Sequence, residues 1–332
     1  MEKNFQAVVV DNKEGKFSVE TKHIFLEDLS SGEVVIKVHY SGVNYKDGLA
    51  STPDGKIVRS YPHIPGIDLA GIVVSSEDSR FKEGDPVIAT SYEIGVSHSG
   101  GYSEYARVPA DWIVSLPTGL SLKEAMIIGT AGFTAALSVQ RLQDNGLKPE
   151  NGPILVTGAT GGVGSFGVAM LSKLGFNVVA SSGKKEAEDY LTSIGASSVI
   201  GREEVYSGKV KALDKQLWAG AVDPVGGESL AAIISKITYG GSVAVSGLTG
   251  GGAVPTSVFP FILRGVNLLG IDSVYCPMEK RQKLWERIAT DLKPEDLSAF
   301  VYKEVSLKQL PEELPTILKG GITGRIIVVV VE

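Results

Sequence analysis

Residues 154–175 read ILVTGATGGVGSFGVAMLSKLG, three aliphatic residues, a glycine-rich loop and then an apolar, proline-free segment. A short buried strand that turns through glycines straight into a helix opens a parallel α/β sheet, since a parallel neighbour strand is reached only over a crossover connection. The second half of the chain repeats that rhythm: NVVAS then KEAEDYLTSIGA, SVIG, GAVDPVG then ESLAAIISKI, GSVAVSG and VNLLGIDS. The alternation predicts an α/β fold with βαβ units and a doubly wound parallel sheet carrying helices on both faces.

The first 125 residues have a different texture. QAVVV, EVVIKVHY, AGIVVS, DPVIAT and YARV are short strand signals separated by clusters of Gly, Pro, Asp and Ser, which predicts an antiparallel barrel or sandwich. A length of 332 residues suits two domains, because single cores stop growing at roughly 250 to 300. The formal net charge of −6 argues against a nucleic-acid binder, which needs an excess of Lys and Arg. With one cysteine, Cys276, no intramolecular disulfide forms and cysteine-rich zinc sites are excluded. No signal h-region and no membrane-spanning window of roughly 18 apolar residues is expected, so the chain reads as cytoplasmic, with no membrane partner.

The loop TGATGGVGS offers Ala159, Gly161 and Gly164 at the spacings of the dinucleotide fingerprint G-x-G-x-x-G, with Ala159 a departure in the first slot. Thr160, Gly161, Gly162 and Val163 then lie where a pyrophosphate meets a helix N-terminus, whose N–H groups and partial positive charge suit an anion. An NAD-preferring site places Asp or Glu about 20 residues further on. After VVA this chain instead has Ser181, Ser182, Gly183, Lys184 and Lys185, hydroxyl and ammonium donors suited to a 2′-phosphate, and NADPH is the expected cofactor. Arg202, after SVIG, is a second candidate for the phosphate or the adenine; a solvated loop arginine is its other reading.

Three further motifs, SGVNYKDGLA (41–50), IPGIDLAG (64–71) and MIIGTAGFTAAL (126–137), carry a resemblance that runs along essentially the whole chain. With KQLWAGAVDPVGG (215–227) and FPFILRGVNLLGIDSV (259–274), the sequence resembles the zinc-independent quinone oxidoreductase branch of the medium-chain dehydrogenases/reductases, and within it the YhdH/YhfP subgroup, which includes acrylyl-CoA reductase. The resemblance implies a GroES-like, mainly antiparallel β catalytic domain over 1–125 and 274–332 and a Rossmann NADPH domain over 126–273. It also implies a homodimer paired through the GSVAVSG to VNLLGIDS sheet edge. Zinc alcohol dehydrogenases of the superfamily have cysteine and histidine where this chain has Asn44 and Ile67, neither a plausible zinc ligand. The cysteine-rich structural zinc lobe is absent from Ser91–Gly101, and no metal is expected.

The chemistry that remains is hydride delivery to an acceptor activated by conjugation, a short 2-enoyl-CoA or a quinone; a non-enzymatic NADPH-binding protein is the alternative from another class. Charge develops on the acceptor's carbonyl oxygen and needs a donor. Candidates are the Asn44 amide and the Tyr45 hydroxyl, with Asp47 orienting them. Family relatives place Tyr45 near the nicotinamide; a packed tyrosine capping a turn is its other reading. Asp68 is a catalytic acid or a buried loop anchor. Thr130 is a nicotinamide contact or a helix N-cap. The resemblance adds Leu248, Ile262, Ser273 and Gly320 as pocket walls and backbone contacts to the cofactor. For CoA phosphates the candidate cations are Lys56, Arg59, Arg264 and Arg325, each otherwise a solvated surface charge. His23, His39, His63 and His98 form no close-spaced ligand set and read as surface residues, and Cys276 reads as structural.

Overall fold

Alternating apolar residues in the first third of the chain build strands with one buried face. In the computed structural model, which describes residues 4–331, they are β1 (Phe5–Lys13), β2 (Lys16–Ile24), β3 (Val34–Gly42), β4 (Asp68–Ser76), β5 (Pro86–Thr90), β6 (Tyr105–Val108) and β7 (Ile113–Ser115). Val34, Ile36 and Val38 of β3 are fully buried, a period of two that sends one face of the sheet into the core with Leu69, Val73, Val87 and Ile113. β8 (Ile154–Val156), β9 (Val178–Ser182), β10 (Ser198–Gly201), β11 (Trp218–Asp223), β12 (Ile237–Val245) and β13 (Asn267–Gly270) follow, then β14 (Val301–Ser306) and β15 (Arg325–Val329).

These strands belong to two compact units. One comprises the described residues up to Thr130, with Val274–Ala289 and Leu297 onward; the other comprises Ala131–Ser273 with Thr290–Asp296. The first contains the hairpin β1–β2 and a seven-stranded, mostly antiparallel sheet in the order β14-β15-β3-β4-β5-β7, with β6 also paired to β3; only β14–β15 is parallel. Three elements of that unit matter below: β3, the short helix α1 (Tyr45–Ala50) that follows it, and β15, antiparallel to β3.

The second unit is a six-stranded, wholly parallel sheet in the order β10-β9-β8-β11-β12-β13. Numbered within the unit this is 3-2-1-4-5-6, the doubly wound Rossmann order, whose ligand crevice lies at the carboxyl ends of the strands where the order reverses. All six residues of β11 are buried, as a central parallel strand covered on both faces requires. The helix Gly227–Lys236 covers one face through Leu230, Ile233 and Ile234. The α/β fold expected from the sequence, Rossmann sheet plus GroES-like β domain, is the fold observed.

Helix α2 (Leu122–Asp144) departs from expectation. By length and composition it qualifies as a membrane span, which the sequence reading did not anticipate; 78% of its most apolar 18-residue window is buried in the protein, as in a core helix. At Gly129, φ 50° and ψ −158° interrupt it, so a fresh helical segment begins at Thr130.

Candidate functional site

A cluster of buried polar groups sits around the N-terminus of α1. Asn44 is its N-cap residue; its backbone N–H donates to Asp47 Oδ2 at 2.8 Å, so the carboxylate three residues on closes the first turn. The Asn44 amide donates to Asp68 Oδ2 at 2.8 Å and to Asp47 Oδ2 at 3.3 Å, and its Oδ1 accepts from Arg325 Nη1 at 3.0 Å. The amide expected to face the acceptor is therefore held by two carboxylates and a guanidinium. Asp47 is fully buried and its Oδ1 accepts the Ile67 N–H at 2.9 Å. Burial, and then the charge of Asp68, push its carboxyl up to about 6, against hydrogen bonds from Asn44, Ile67 and Tyr102.

Asp68 is fully buried at the start of β4. Its Oδ1 accepts from Thr130 Oγ1 at 2.5 Å and its Oδ2 from the Thr130 N–H at 2.9 Å. Ser91 Oγ lies 3.1 Å from the Thr130 hydroxyl. Of the two readings of Asp68, this geometry supports the loop anchor: the carboxylate ties β4 to the break at Gly129, where an added Cβ would lie 2.6 Å from Asp68 Oδ2. Tyr45 differs from its neighbours. It is 48% exposed, and its hydroxyl makes no hydrogen bond among the described residues, so the reading of a packed, turn-capping tyrosine gives way.

Arg325 corrects the sequence reading most. The sequence offers it as a surface contact for CoA phosphates, but it is 3% exposed. Its Nη1 donates to the Val43 carbonyl at 3.0 Å as well as to Asn44, its Nε donates to the Ile127 carbonyl at 3.2 Å, and its Nη2 lies 3.7 Å from Asp68 Oδ2. Burial holds its pKa below the usual guanidinium value, while Asp68 and Asp47 act to raise it. Arg264 is likewise engaged, capping the carbonyls of Ser235 at 2.8 Å and Asp214 at 2.6 Å in the second unit. Lys56 and Arg59 do converge, with Lys46, around one cavity of about 350 Å³. Two of the four histidines are not surface residues: His63 and His98 are each 8% exposed. Gly320, at φ 70°, ends the helix Leu310–Leu318 in a turn with open space around it.

In the Rossmann unit the loop after β8 is built as a cradle. The sequence put the tight-turn glycine role at position 159; the structure gives it to Gly158, with φ 54°, while Ala159 is fully buried and donates its N–H to the Ser181 carbonyl at 3.1 Å. Gly164 cannot carry a side chain, since a Cβ there would lie 2.3 Å from the Gly158 carbonyl oxygen. That contact brings the first turn of α3 (Gly162–Lys173) onto the loop and leaves Gly161, Gly162 and Val163 partly exposed at the helix N-terminus. Thr157 donates to Asp223 Oδ1 at 2.5 Å and Gly226 N–H to Oδ2 at 2.8 Å, which ties this loop to the one after β11; Thr160 is buried beside it.

One strand over, β10 pairs with β9 so that Gly201 faces Ser182. Arg202 is thereby brought across Gly183, where a Cβ would lie 2.5 Å from its Nε. Ser182 Oγ accepts the Lys184 N–H at 3.0 Å, and burial lowers the Lys184 pKa, Glu186 opposing and Arg202 reinforcing. Ser182, Gly183, Lys184 and Arg202 form one cation-bearing corner at the carboxyl ends of two strands, Ser182 buried, Lys184 half-buried and Gly183 and Arg202 exposed. Leu248 is 69% exposed in the loop after β12; Ser273, beyond β13, is buried and accepts from Thr134 Oγ1 at 2.8 Å. Ile262 is 68% exposed on the helix Phe259–Arg264, between β12 and β13. The glycine cradle and this corner fit a phosphorylated dinucleotide.

The chain belongs to the medium-chain dehydrogenases/reductases: residues 30–118 match the alcohol dehydrogenase GroES-like domain and residues 162–290 the zinc-binding dehydrogenase family. Within them it falls in the YhdH/YhfP subgroup, and its relatives are named oxidoreductases. It is 64% identical over 98% of both chains to YhfP of Bacillus subtilis, which bears the name of a quinone oxidoreductase. The crystal structure of YhfP with NAD bound superposes with a TM-score of 0.97, covering 99% of this chain and 100% of that one. Identity to the acrylyl-CoA reductase AcuI of Ruegeria pomeroyi is 51% over 98% of both chains. The yhdH oxidoreductase of Salmonella enterica, solved in complex with NADP, is 46% identical with a TM-score of 0.95, over 98% of this chain and all of that one.

Proposed function

We infer that this chain is an NADPH-dependent reductase that saturates the activated C=C of a short 2-enoyl-CoA such as acrylyl-CoA, and that it does so without zinc. The observation that carries the reading is the buried cluster at α1. Where zinc members of the superfamily have ligands, Asn44 is saturated by hydrogen bonds and Ile67 offers an aliphatic side chain. The cluster already holds a cation, the Arg325 guanidinium. A divalent ion beside it would add like charge and find its carboxylate oxygens taken, so the residues do not fit a metal. Among the described residues no group of three or more His, Cys, Asp or Glu is arranged to hold one.

When bound, the dihydronicotinamide supplies the hydride. The cradle of Gly158–Gly164 and the N-terminus of α3 hold the pyrophosphate, and Ser182, Lys184 and Arg202 hold the 2′-phosphate; the NADP complex of the Salmonella relative supports that assignment. Thr130, Leu248, Ile262, Ser273 and Gly320 are proposed as further cofactor contacts. Tyr45 is the donor to the enolate oxygen that develops on the acceptor, because its hydroxyl is exposed and uncommitted. Asn44 and Asp47 act through it by fixing the first turn of α1. Replacing Tyr45 with Phe is expected to lower kcat with acrylyl-CoA about a hundredfold, as loss of one oxyanion donor does. A change confined to KM for NADPH would make Tyr45 a cofactor contact only.

The reading is tested by NADPH oxidation with acrylyl-CoA, crotonyl-CoA and 1,4-benzoquinone at equal concentration. Preference for the thioesters supports it, preference for the quinone replaces it, and NADPH binding without turnover of any acceptor leaves a non-enzymatic binding protein. A homodimer is also proposed, paired through β13, the outermost strand of its sheet, where Leu268 is 41% exposed. Sedimentation equilibrium giving the mass of one chain at micromolar concentration rejects it.

A further inference from the structure

The cavity of about 350 Å³ in the first unit is lined by Lys46, Lys56 and Arg59 together with Glu93, Ser97 and Tyr275. Among the described residues, none of these three cations makes an ion pair or a side-chain hydrogen bond. Several surface cations elsewhere are paired: Arg80 holds Asp78 and Asp111, Lys123 holds Glu304, Lys211 holds Asp214, and Lys303 holds Glu313. The one carboxylate in the cavity does not neutralise the cations by contact, because its two oxygens accept from hydroxyls, Oε2 from Ser97 and Oε1 from Tyr275. Those hydroxyls first, and then Lys46 and Arg59, keep Glu93 below the usual carboxylate range, with partial burial opposing. Three cations and one carboxylate give a local charge of +2 on a chain whose net charge is −6.

The wall of the cavity is held in place. Tyr92, next to Glu93, stacks on Trp112 with ring centroids 5.5 Å apart and planes 7° from parallel. The Arg281 guanidinium lies 4.6 Å from the other ring system's partner, the Tyr92 centroid, and the Tyr92 hydroxyl donates to the Cys276 carbonyl at 3.2 Å. Lys46, also in the lining, lies in the first turn of α1. Successive helical residues point about 100° apart, so Asp47 enters the buried cluster while Lys46 reaches the cavity. One turn of helix thus carries the proposed proton donor, its anchor and a cavity cation in consecutive positions 45, 47 and 46.

We propose that this cavity binds the phosphate groups of the acyl carrier, so that Lys46, Lys56 and Arg59 recognise a phosphorylated thioester and Glu93 weakens that grip. The ligand's identity rests on the thioester reading above. The test is calorimetric binding of coenzyme A alone to wild type, to K56Q/R59Q and to E93Q. The double variant is expected to weaken binding at least about tenfold, the scale of lost charge-assisted hydrogen bonds. E93Q, which removes the opposing charge, should tighten it, and added salt should erode wild-type binding more than that of K56Q/R59Q. Equal affinity in wild type and K56Q/R59Q overturns the proposal. In turnover, the ratio of KM for S-acrylyl-pantetheine, which lacks the phosphates, to KM for acrylyl-CoA should fall toward one in K56Q/R59Q. Reduction of acrylyl-CoA with that ratio unchanged sinks the cavity assignment and leaves the reductase reading; coenzyme A held by the cavity with no reduction of either thioester does the reverse.

Discussion

Replacing Arg325 with Met is expected to cost about 3–5 kcal/mol of stability at neutral pH, the penalty for removing one partner from a buried charge cluster. Arg325 is 3% exposed, and the guanidinium is the cation among two fully buried carboxylates, Asp47 and Asp68. Its loss leaves the Val43 and Ile127 carbonyls and Asn44 Oδ1 without their donor as well. The effect has a pH signature. The Asp47 carboxyl rises from 3.8 to about 6 in the folded protein. Between those values the folded state retains a proton that the unfolded chain has released, so this group's contribution to stability declines as pH rises from about 4 to 6, by on the order of 3 kcal/mol in all. Without Arg325 the folded pKa climbs further and the decline continues above 6. Urea melts of wild type and R325M at pH 5 and pH 8 should therefore differ more at pH 8. An equal gap at the two pH values, or no gap, shows that Arg325 does not compensate these carboxylates.

Arg325 also marks where sequence reading stops. GRIIVVV reads as an arginine at a strand edge, and such a residue is ordinarily solvated. What buries it is register: β15 runs antiparallel to β3 with Ile327 opposite Gly42, so two residues before Ile327 comes Arg325 and two after Gly42 comes Asn44. A pairing across roughly three hundred residues of chain leaves no local trace. The spacing of Asn44 and Asp47 is a different case, because a cap residue and its N3 carboxylate lie within a single turn of backbone and the motif is readable as a string. The alternation of strand and helix in the Rossmann unit is legible for the same local reason, each strand–loop–helix unit being a continuous segment, whereas its strand order is set by the fold. Within the loop, the residue that adopts positive φ is Gly158 and not its neighbour, a shift of one position that a glycine pattern alone does not resolve. The convergence of Lys46 with Lys56 and Arg59 joins a helix to a loop through the fold, and only the latter two were candidates from the sequence.

Changing Lys184 to Glu is expected to raise the Kd for NADPH about a hundredfold or more and that for NADH far less. The argument turns on what separates the two cofactors, a single phosphate on the adenosine ribose. A dianionic group met by an ammonium and a guanidinium gains charge-assisted hydrogen bonds of about 1.5–3 kcal/mol each, and reversing one charge replaces attraction with repulsion. Arg202 lies across Gly183 because β10 runs parallel to β9 in the register that sets Gly201 opposite Ser182, so the cations are brought together by the sheet itself. Their proximity already perturbs Lys184, whose pKa is held down by burial and then by Arg202 against the pull of Glu186. An incoming dianion reverses that balance, so NADPH binding should raise the Lys184 pKa, whereas NADH, lacking the phosphate, should not. The YhfP structure contains NAD and the yhdH structure NADP, so the fold accepts a bound dinucleotide of either kind. If the corner reads the 2′-phosphate as proposed, preference in this chain lies there rather than in the cradle: Arg202→Ala should weaken NADPH roughly tenfold with the cradle intact. Fluorescence titration of both cofactors against wild type, K184E and R202A decides the matter. If both variants lose NADPH and NADH in equal proportion, the corner is supporting the loop and not reading the phosphate.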